Sequence, residues 1–266
     1  MDYLWLTLSG LLAGTLGALV GVGGGFIIVP VLLIGFDYPH TWTVATSLSF
    51  IFINSLISAY NYSRQKRVDF ATAIPFSLST IPGAVAGTYL VPYFSGEAFD
   101  KAFGILLISV SLFMLFRPQG QSKDRTPNWM GRKVSRKFTD SHGVTHEYSF
   151  SLGFGILLSF FVGFLSSIFG IGGGIIHVPA MTMLMGFPPH IATATSMFIL
   201  TVSSFAGTLP HLIHGDVQLG ASAALALGAI GGAQLGTHIA PRLKGRRLMQ
   251  VFAVIMFFVA LKLLWH

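Results

Sequence analysis

Stretches free of Asp, Glu, Lys and Arg divide the chain into runs at 3–36, 38–63, 70–96, 102–116, 148–215, 217–241 and 248–261. A helix that spans a bilayer needs about 20 predominantly apolar residues, so most of these runs are the size of one span. The run 148–215 is too long for one or two spans and carries turn signals at Gly186, Phe187, Pro188 and Pro189. It divides into a segment 151–187 and a helix 190–213. The pattern predicts eight hydrophobic segments, at roughly 3–36, 41–63, 70–92, 99–116, 151–187, 190–213, 218–240 and 248–265.

An internal repeat underlies the pattern. An offset of 149 positions places Gly21, Gly23, Gly24, Gly25 and Pro30 on Gly170, Gly172, Gly173, Gly174 and Pro179. It also carries Ala45, Thr46 and Ser47 onto Ala194, Thr195 and Ser196, and Gly83, Gly87 and Thr88 onto Gly232, Gly236 and Thr237. Two related halves of four segments are a common construction in secondary transporters. The expected organisation is a first transmembrane repeat over 1–117, a basic loop over 118–149 and a second repeat over 150–266.

Charge orients the halves. If each glycine-broken long segment crosses once, the halves are parallel, with 11 Lys and Arg on the cytoplasmic side and 5 outside. If each enters and returns, the halves are inverted, and 14 of the 16 basic residues become cytoplasmic, leaving Lys101 and Lys262 outside. The positive-inside rule favours inversion, with both termini outside. The fold class expected is an all-α polytopic membrane protein. Each repeat opens with a glycine-broken discontinuous or re-entrant helix. The basic stretch 117–147 alternates from Val134 to Phe150 around Asp140, Ser141, His142 and Gly143, which predicts a small cytoplasmic β-hairpin.

Composition agrees with a bilayer. Of 266 residues, 53% are hydrophobic and 9% charged, against about 25% charged in soluble domains. Soluble enzymes, nucleic-acid binders and disordered proteins are set aside. The chain has no cysteine, so a thiolate metal site or nucleophile is excluded. The opening MDYLWLTLSG lacks a basic stretch, and its apolar run continues past signal-peptide length, so no secretory signal is expected.

The glycine-rich breaks are the leading candidate site. Gly21 to Gly25 are poor helix formers, and Pro30 suits the first position of a helix. The expectation is an unwound stretch followed by a short helix from about Pro30. In the second copy, the short helix would begin at Pro179 and stop near Gly186. Unwound backbone at membrane depth is tolerated where it is buried in protein or lines a wet cavity. Amides of Gly23, Gly24, Gly25, Gly172, Gly173 and Gly174, with a half-helix N-terminus, would suit an anion. Tight packing or a kink is the alternative use of these glycines. A phosphate-binding loop is dropped, since GVGGG lacks the Lys-Ser/Thr ending.

The following helix carries Thr43, Thr46, Ser47, Asn54 and Ser58 on one face, with Thr195, Ser196 and Ser203 at the matching places. These groups either donate to an oxyanion or hydrogen-bond between helices. Gln234, an uncharged polar residue in the 218–240 helix opposite Val85 of the first copy, either meets substrate or packs against another helix. His177 replaces Ile28 of the first copy and falls in the expected unwound stretch. It could carry a proton, donate to substrate or simply pack. His40, His190, His211 and His214 lie near segment ends and are expected at the interface. Met181, Met183 and Met185 beside His177 are read as core filling rather than a copper site. Gly83 with Gly87 and Gly232 with Gly236 are expected to let helices approach closely. No acidic or basic residue lies well inside a hydrophobic segment, which disfavours cation pumping. No paired carboxylate or nucleophile–base pair suggests an enzyme, and no cofactor or metal is expected.

GVGGGFIIVP and GIGGGIIHVP, each followed by an Ala-Thr-Ser helix, resemble the TauE/SafE family of sulfite exporters. The resemblance covers nearly the whole chain. It implies a permease of the bacterial cytoplasmic membrane that exports sulfite or a small organosulfonate, using Gly23 to Gly25, Pro30, Thr46, Ser47, Gly172 to Gly174, Pro179, Thr195 and Ser196. The partners expected are the lipid bilayer and a small inorganic or organic sulfur anion, with homo-oligomers left open and nucleic acid excluded. Two alternatives stand beside it: Na+- or H+-coupled uptake of another small anion, and a non-transporting membrane scaffold acting through the basic loop. Proton coupling would point to His177.

Overall fold

A computed structural model describes residues 2–94, 96–116, 133–139, 145–240, 253–254 and 256–262. In chain order, α1 is Asp2–Val20 and α2 is Gly25–Pro30, which runs on as a π-helical turn Val31–Gly35. Then come α3, His40–Arg64, and α4, Phe70–Leu90, which ends in a 3-10 turn Val91–Tyr93. After α5, Glu97–Phe116, the strands β1, Lys133–Thr139, and β2, Thr145–Ser151, form an antiparallel pair. The second half brings α6, Leu152–Phe169, α7, Gly174–Met183, α8, Pro189–His214, and α9, Leu219–Ile239. Residues 253–254 and 256–262 are also helical, which matches the last predicted segment where it is described.

Among the described residues six helices, α1, α3, α4, α6, α8 and α9, are long and apolar enough to cross a membrane. Their outer faces expose Leu4, Trp5, Leu12, Leu78, Phe161, Phe205 and Leu227. An exposed belt of this kind is stable only against lipid, and helices satisfy their own backbone there. This is a multi-pass membrane protein. The hairpin predicted from alternation is present as β1 and β2; its expected turn at residues 140–143 lies outside the described residues, as does the basic cluster 242–247.

The glycine pairs determine how the helices pack. Gly163 of α6 lies against Thr80 of α4. From Ser79, bonded to the Ile156 carbonyl, through Gly83 against Phe160 to Gly87 against Phe164, the partners' numbers rise together, so α4 and α6 run in the same direction. On the other side, Gly10 meets Leu225, Gly14 meets Ala229, and Gly232 and Gly236 meet Leu11 and Thr15, so α1 and α9 also run together. A Cβ on Gly232 would sit 2.6 Å from the Leu11 carbonyl oxygen. Without glycine these backbones could not approach so closely. Thus α4 of the first half packs on α6, the first helix of the second, and α9 of the second half packs on α1 of the first. Between these pairs, α3 follows α9, with Ser49 bonded to Ser222 (2.9 Å) and Asn61 to Thr237 (2.9 Å).

The broken segments differ from expectation at their helix starts. Helix resumes at Gly25, not near Pro30, and at Gly174, not at Pro179; both prolines lie inside their helices. The unwound stretch is therefore four residues, 21–24, in the first copy. Left-handed glycines reverse the chain within those few residues, so helical geometry begins at once. The β-branched residues Ile27, Ile28 and Val29 follow helically because tertiary packing overrides their weak helix propensity. In the first copy the helix after Pro30 continues as a π turn over Val31–Gly35.

Candidate functional site

The two breaks lie against each other at the centre of the bundle. Gly24 has φ 90°, and a Cβ there would overlap the Ala13 carbonyl. Only glycine takes that backbone and that approach without penalty. The amides of Gly21, Val22 and Gly23 all turn onto the Gly17 carbonyl, at 2.9, 2.9 and 3.4 Å. Across the halves, a Cβ on Gly25 would lie 2.6 Å from the Gly170 carbonyl oxygen, and one on Gly174 would overlap that of Gly21. Gly23 and Gly172 both touch Ile51 and Leu200, the repeat-related centres of α3 and α8. Every residue from Gly21 to Phe26 and from Gly170 to Ile175 is buried, so in this conformation the crossing is closed to solvent.

Repeated hydroxyls clasp the crossing by exchange between halves. Ser47 Oγ on α3 donates to the Gly170 carbonyl (2.6 Å), and Ser196 Oγ on α8 donates to the Gly21 carbonyl (2.9 Å). Thr46 Oγ1 accepts from the Gln218 amide (3.3 Å), and Thr195 Oγ1 accepts from the Asp69 amide (3.1 Å). Asn54 Nδ2 donates to the Gly23 carbonyl (2.9 Å), while its Oδ1 has no partner within the protein. Ser203, at the place of Asn54, makes no hydrogen bond through Oγ. Gly23 to Gly25, Gly172 to Gly174, Ser47, Ser196 and Asn54 thus meet. Thr46 and Thr195 stand one layer out, at the starts of α9 and α4.

The other two predicted residues lie apart. His177 is in α7, not in an unwound stretch, and faces Phe76, with which it stacks at 6.4 Å. Ser159 Oγ donates to the Gly155 carbonyl (2.7 Å) and so can only accept from His177 Nε2 (3.0 Å). The Nδ1 lone pair of His177 is left buried without a partner. Gln234 is exposed on the outer face of α9. Met181 and Met185 are fully buried in the core, and no metal-sized group of three or more His, Asp or Glu occurs among the described residues.

Sequence reasoning missed several residues. Ile51 and Leu200 share the offset of 149 and could have been found from it. Asp69 could not: it looks like a loop acid, yet it is buried at the α3–α4 turn. It caps α4 through the Thr72 amide (3.3 Å) and accepts from Thr72 Oγ1 (2.6 Å) and from Tyr148 Oη on the hairpin (2.8 Å). Burial, and then the Asp69 carboxylate, push the Tyr148 hydroxyl above the ordinary tyrosine range, so it keeps its proton. The contribution of this bond to stability is complete below the ordinary tyrosine value and is lost only as pH rises beyond it. His211, expected at the interface, is instead buried.

A bundle of membrane-crossing helices in which two broken helices meet at the centre has the build of a membrane transporter. The family model described as sulfite exporter TauE/SafE matches residues 6–263, and the chain belongs to that family. It is 35% identical to the probable membrane transporter protein YunE of Bacillus subtilis, across 100% of this chain and 98% of that one. It is 30% identical to the probable membrane transporter protein MJ0441 of Methanocaldococcus jannaschii, across 78% and 71% respectively. No solved structure matches it. Membership of this family makes the protein a transporter and not an enzyme.

Proposed function

We propose that this chain is a permease of the cytoplasmic membrane that exports a small sulfur oxyanion, sulfite or an organosulfonate, by alternating access at the glycine crossing. The observation that carries the reading is the reciprocal contact of the two breaks, each held by the other half's serine. Substrate oxygens would take the side-chain donors that close the crossing in this conformation, Ser47, Ser196 and Asn54, together with the glycine amides near Gly24 and Gly173. Opening toward either side would then exchange backbone acceptors for substrate oxygens, at small net cost.

The repeats, 1–117 and 150–266, are inverted in this reading, and the basic loop 118–149 is cytoplasmic. Supporting this, α9 follows α3, whereas α4 is joined to α3 by residues 65–69 alone and returns. Because α4 and α9 hold the same place in the two repeats, they run opposite ways. The broken segments re-enter: Gly24 lies on Ala13, which a continuous helix would hold about 16 Å away. Arg64 and Lys66, both exposed, would gather anions at the cytoplasmic mouth, whereas Arg67, which the sequence also suggests there, is buried. Moving one charge through 100 mV is worth about 2.3 kcal/mol, so a negative cell interior drives a divalent anion outward.

The test is efflux from proteoliposomes loaded with sulfite, sulfoacetate or sulfate, with potential and pH set independently. Saturable efflux of a sulfur oxyanion that rises with interior-negative potential is the expected result. Absence of flux for all three, from protein shown to be folded, would overturn it.

A further inference from the structure

A second polar strip leads from the crossing toward the α8–α9 turn. Along α8, Ser203, Gly207 and His211 recur every four residues and share a face, spanning about 12 Å. Gly207 opens that face to α6, where a Cβ would lie 2.7 Å from Ser167 Oγ. Ser167 Oγ, Ser203 Oγ, Thr208 Oγ1 and His211 Nε2 are all buried with no hydrogen-bond partner within the protein. Buried polar atoms are satisfied in roughly nine cases of ten or more, so four orphans on one strip imply a missing occupant. At its outer end, His211 Nδ1 lies 2.8 Å from Asp216 Oδ2, with the two side chains 2% and 25% exposed. At its inner end, Ser203 is one turn from Leu200, which touches both breaks.

The carboxylate of Asp216 can only accept, so Nδ1 of His211 carries a proton and the open Nε2 of the neutral ring is a bare lone pair. A proton arriving at Nε2 makes an imidazolium balanced by Asp216 and turns an acceptor into a donor, beside three hydroxyls that also donate. We propose that His211, Asp216, Ser167, Thr208 and Ser203 form a proton-dependent oxyanion station, in which a proton on Nε2 and a substrate oxygen bind together on the outward route. This rests on the anion-permease reading above. Binding linkage is reciprocal: the proton raises affinity for the anion, and the anion raises affinity for the proton by the same factor.

The surroundings contain little else that titrates. His214 follows on α8, its ring against Tyr89 of α4, and at this end of α3 His40 is paired with Asp100. The described residues of α6 contain no ionisable side chain, α7 contains only His177, bonded to Ser159, and α1 contributes Asp2 and Tyr3 at its start. The matching strip of the first half has two orphan atoms, Asn54 Oδ1 and Ser58 Oγ, but no open base. Tyr62 stands in the place of His211 and donates to the Ala18 carbonyl at 2.8 Å. His177, the histidine that the sequence singles out for coupling, has no carboxylate beside it.

Two measurements test the station on the full chain in lipid nanodiscs and proteoliposomes. In protein with 15N-labelled histidine rings, the signal lost in His211→Gln should show Nε2 gaining a proton between about pH 5 and 8. Its midpoint should rise on adding sulfite. A ring unchanged across that range would overturn the proposal, whether or not any flux is seen. In flux assays, efflux should change with pH by about 5- to 150-fold, the usual range of a coupling between two bound ligands. His211→Gln should flatten that dependence, and Asp216→Asn should move it to lower pH. A wild-type pH profile in folded His211→Gln, or a profile flattened by His177→Gln instead, would also overturn it. No wild-type flux of any sulfur oxyanion would sink the substrate reading alone, leaving the ring titration to decide the proton site.

Discussion

The strip on α3 and the strip on α8 occupy the same place in the two halves and do opposite things. On α3, Asn54, Ser58, Tyr62 and then Arg67 are matched on the second half by Ser203, Gly207, His211 and Asp216. The first strip is tied down: Asn54 holds the Gly23 carbonyl and Tyr62 holds that of Ala18. The second is left open, with a base and three hydroxyls unpaired, and an acid where its counterpart has a cation. A shared backbone builds the crossing twice over, whereas divergent side chains give each approach its own chemistry.

That comparison can be broken at several points. The largest effect is expected from Gly174→Ala, whose methyl would overlap the Gly21 carbonyl. It should cost about 3 kcal/mol and abolish flux. The control is Gly35→Ala, where nothing lies within 4 Å; a thermal unfolding series in detergent that ranks the two alike would refute the tight crossing. Next, Tyr148→Phe removes a donor from buried Asp69 and should cost about 2 kcal/mol. Since Tyr148 keeps its proton, the wild-type advantage over the variant should persist through neutral pH and fade only on the alkaline side. An advantage already absent at neutral pH would mean that the hairpin is not held by this bond.

Asn54→Ala strands the Gly23 carbonyl and should cost about 1.5 kcal/mol. Its counterpart, Ser203→Ala, breaks no bond within the protein and should change stability by less than about 0.5 kcal/mol, while lowering flux through the open strip. Equal losses of stability from the two substitutions would show that the strips are equivalent after all.

How much of this could be read without coordinates differs from element to element. The spans, the hairpin around residues 133–151 and the pairing role of Gly83, Gly87, Gly232 and Gly236 follow from local patterns: charge-free runs, alternation and small-residue spacing. The glycine motif located the crossing, because few other residues permit such a turn. The helix starts were misplaced by several residues, since Pro30 and Pro179 suggested first helical positions that the reversed backbone had already supplied. The duty of Ser47 was beyond local reading, because its acceptor at Gly170 is 123 residues away. Gln234, read as meeting substrate or another helix, is instead exposed, because the rotation of α9 turns it outward.

What the amino-acid order determined by itself is therefore the membrane and the two points where helices break, both of which depend on hydrophobicity and backbone freedom within a short window. Only the tertiary structure decided which hydroxyls close the crossing, that Asp69 is buried under Tyr148, and that His211 is enclosed with an open nitrogen. Those properties belong to atoms brought together from distant parts of the chain. A hydrogen bond or an orphaned lone pair exists only once both neighbourhoods are in place.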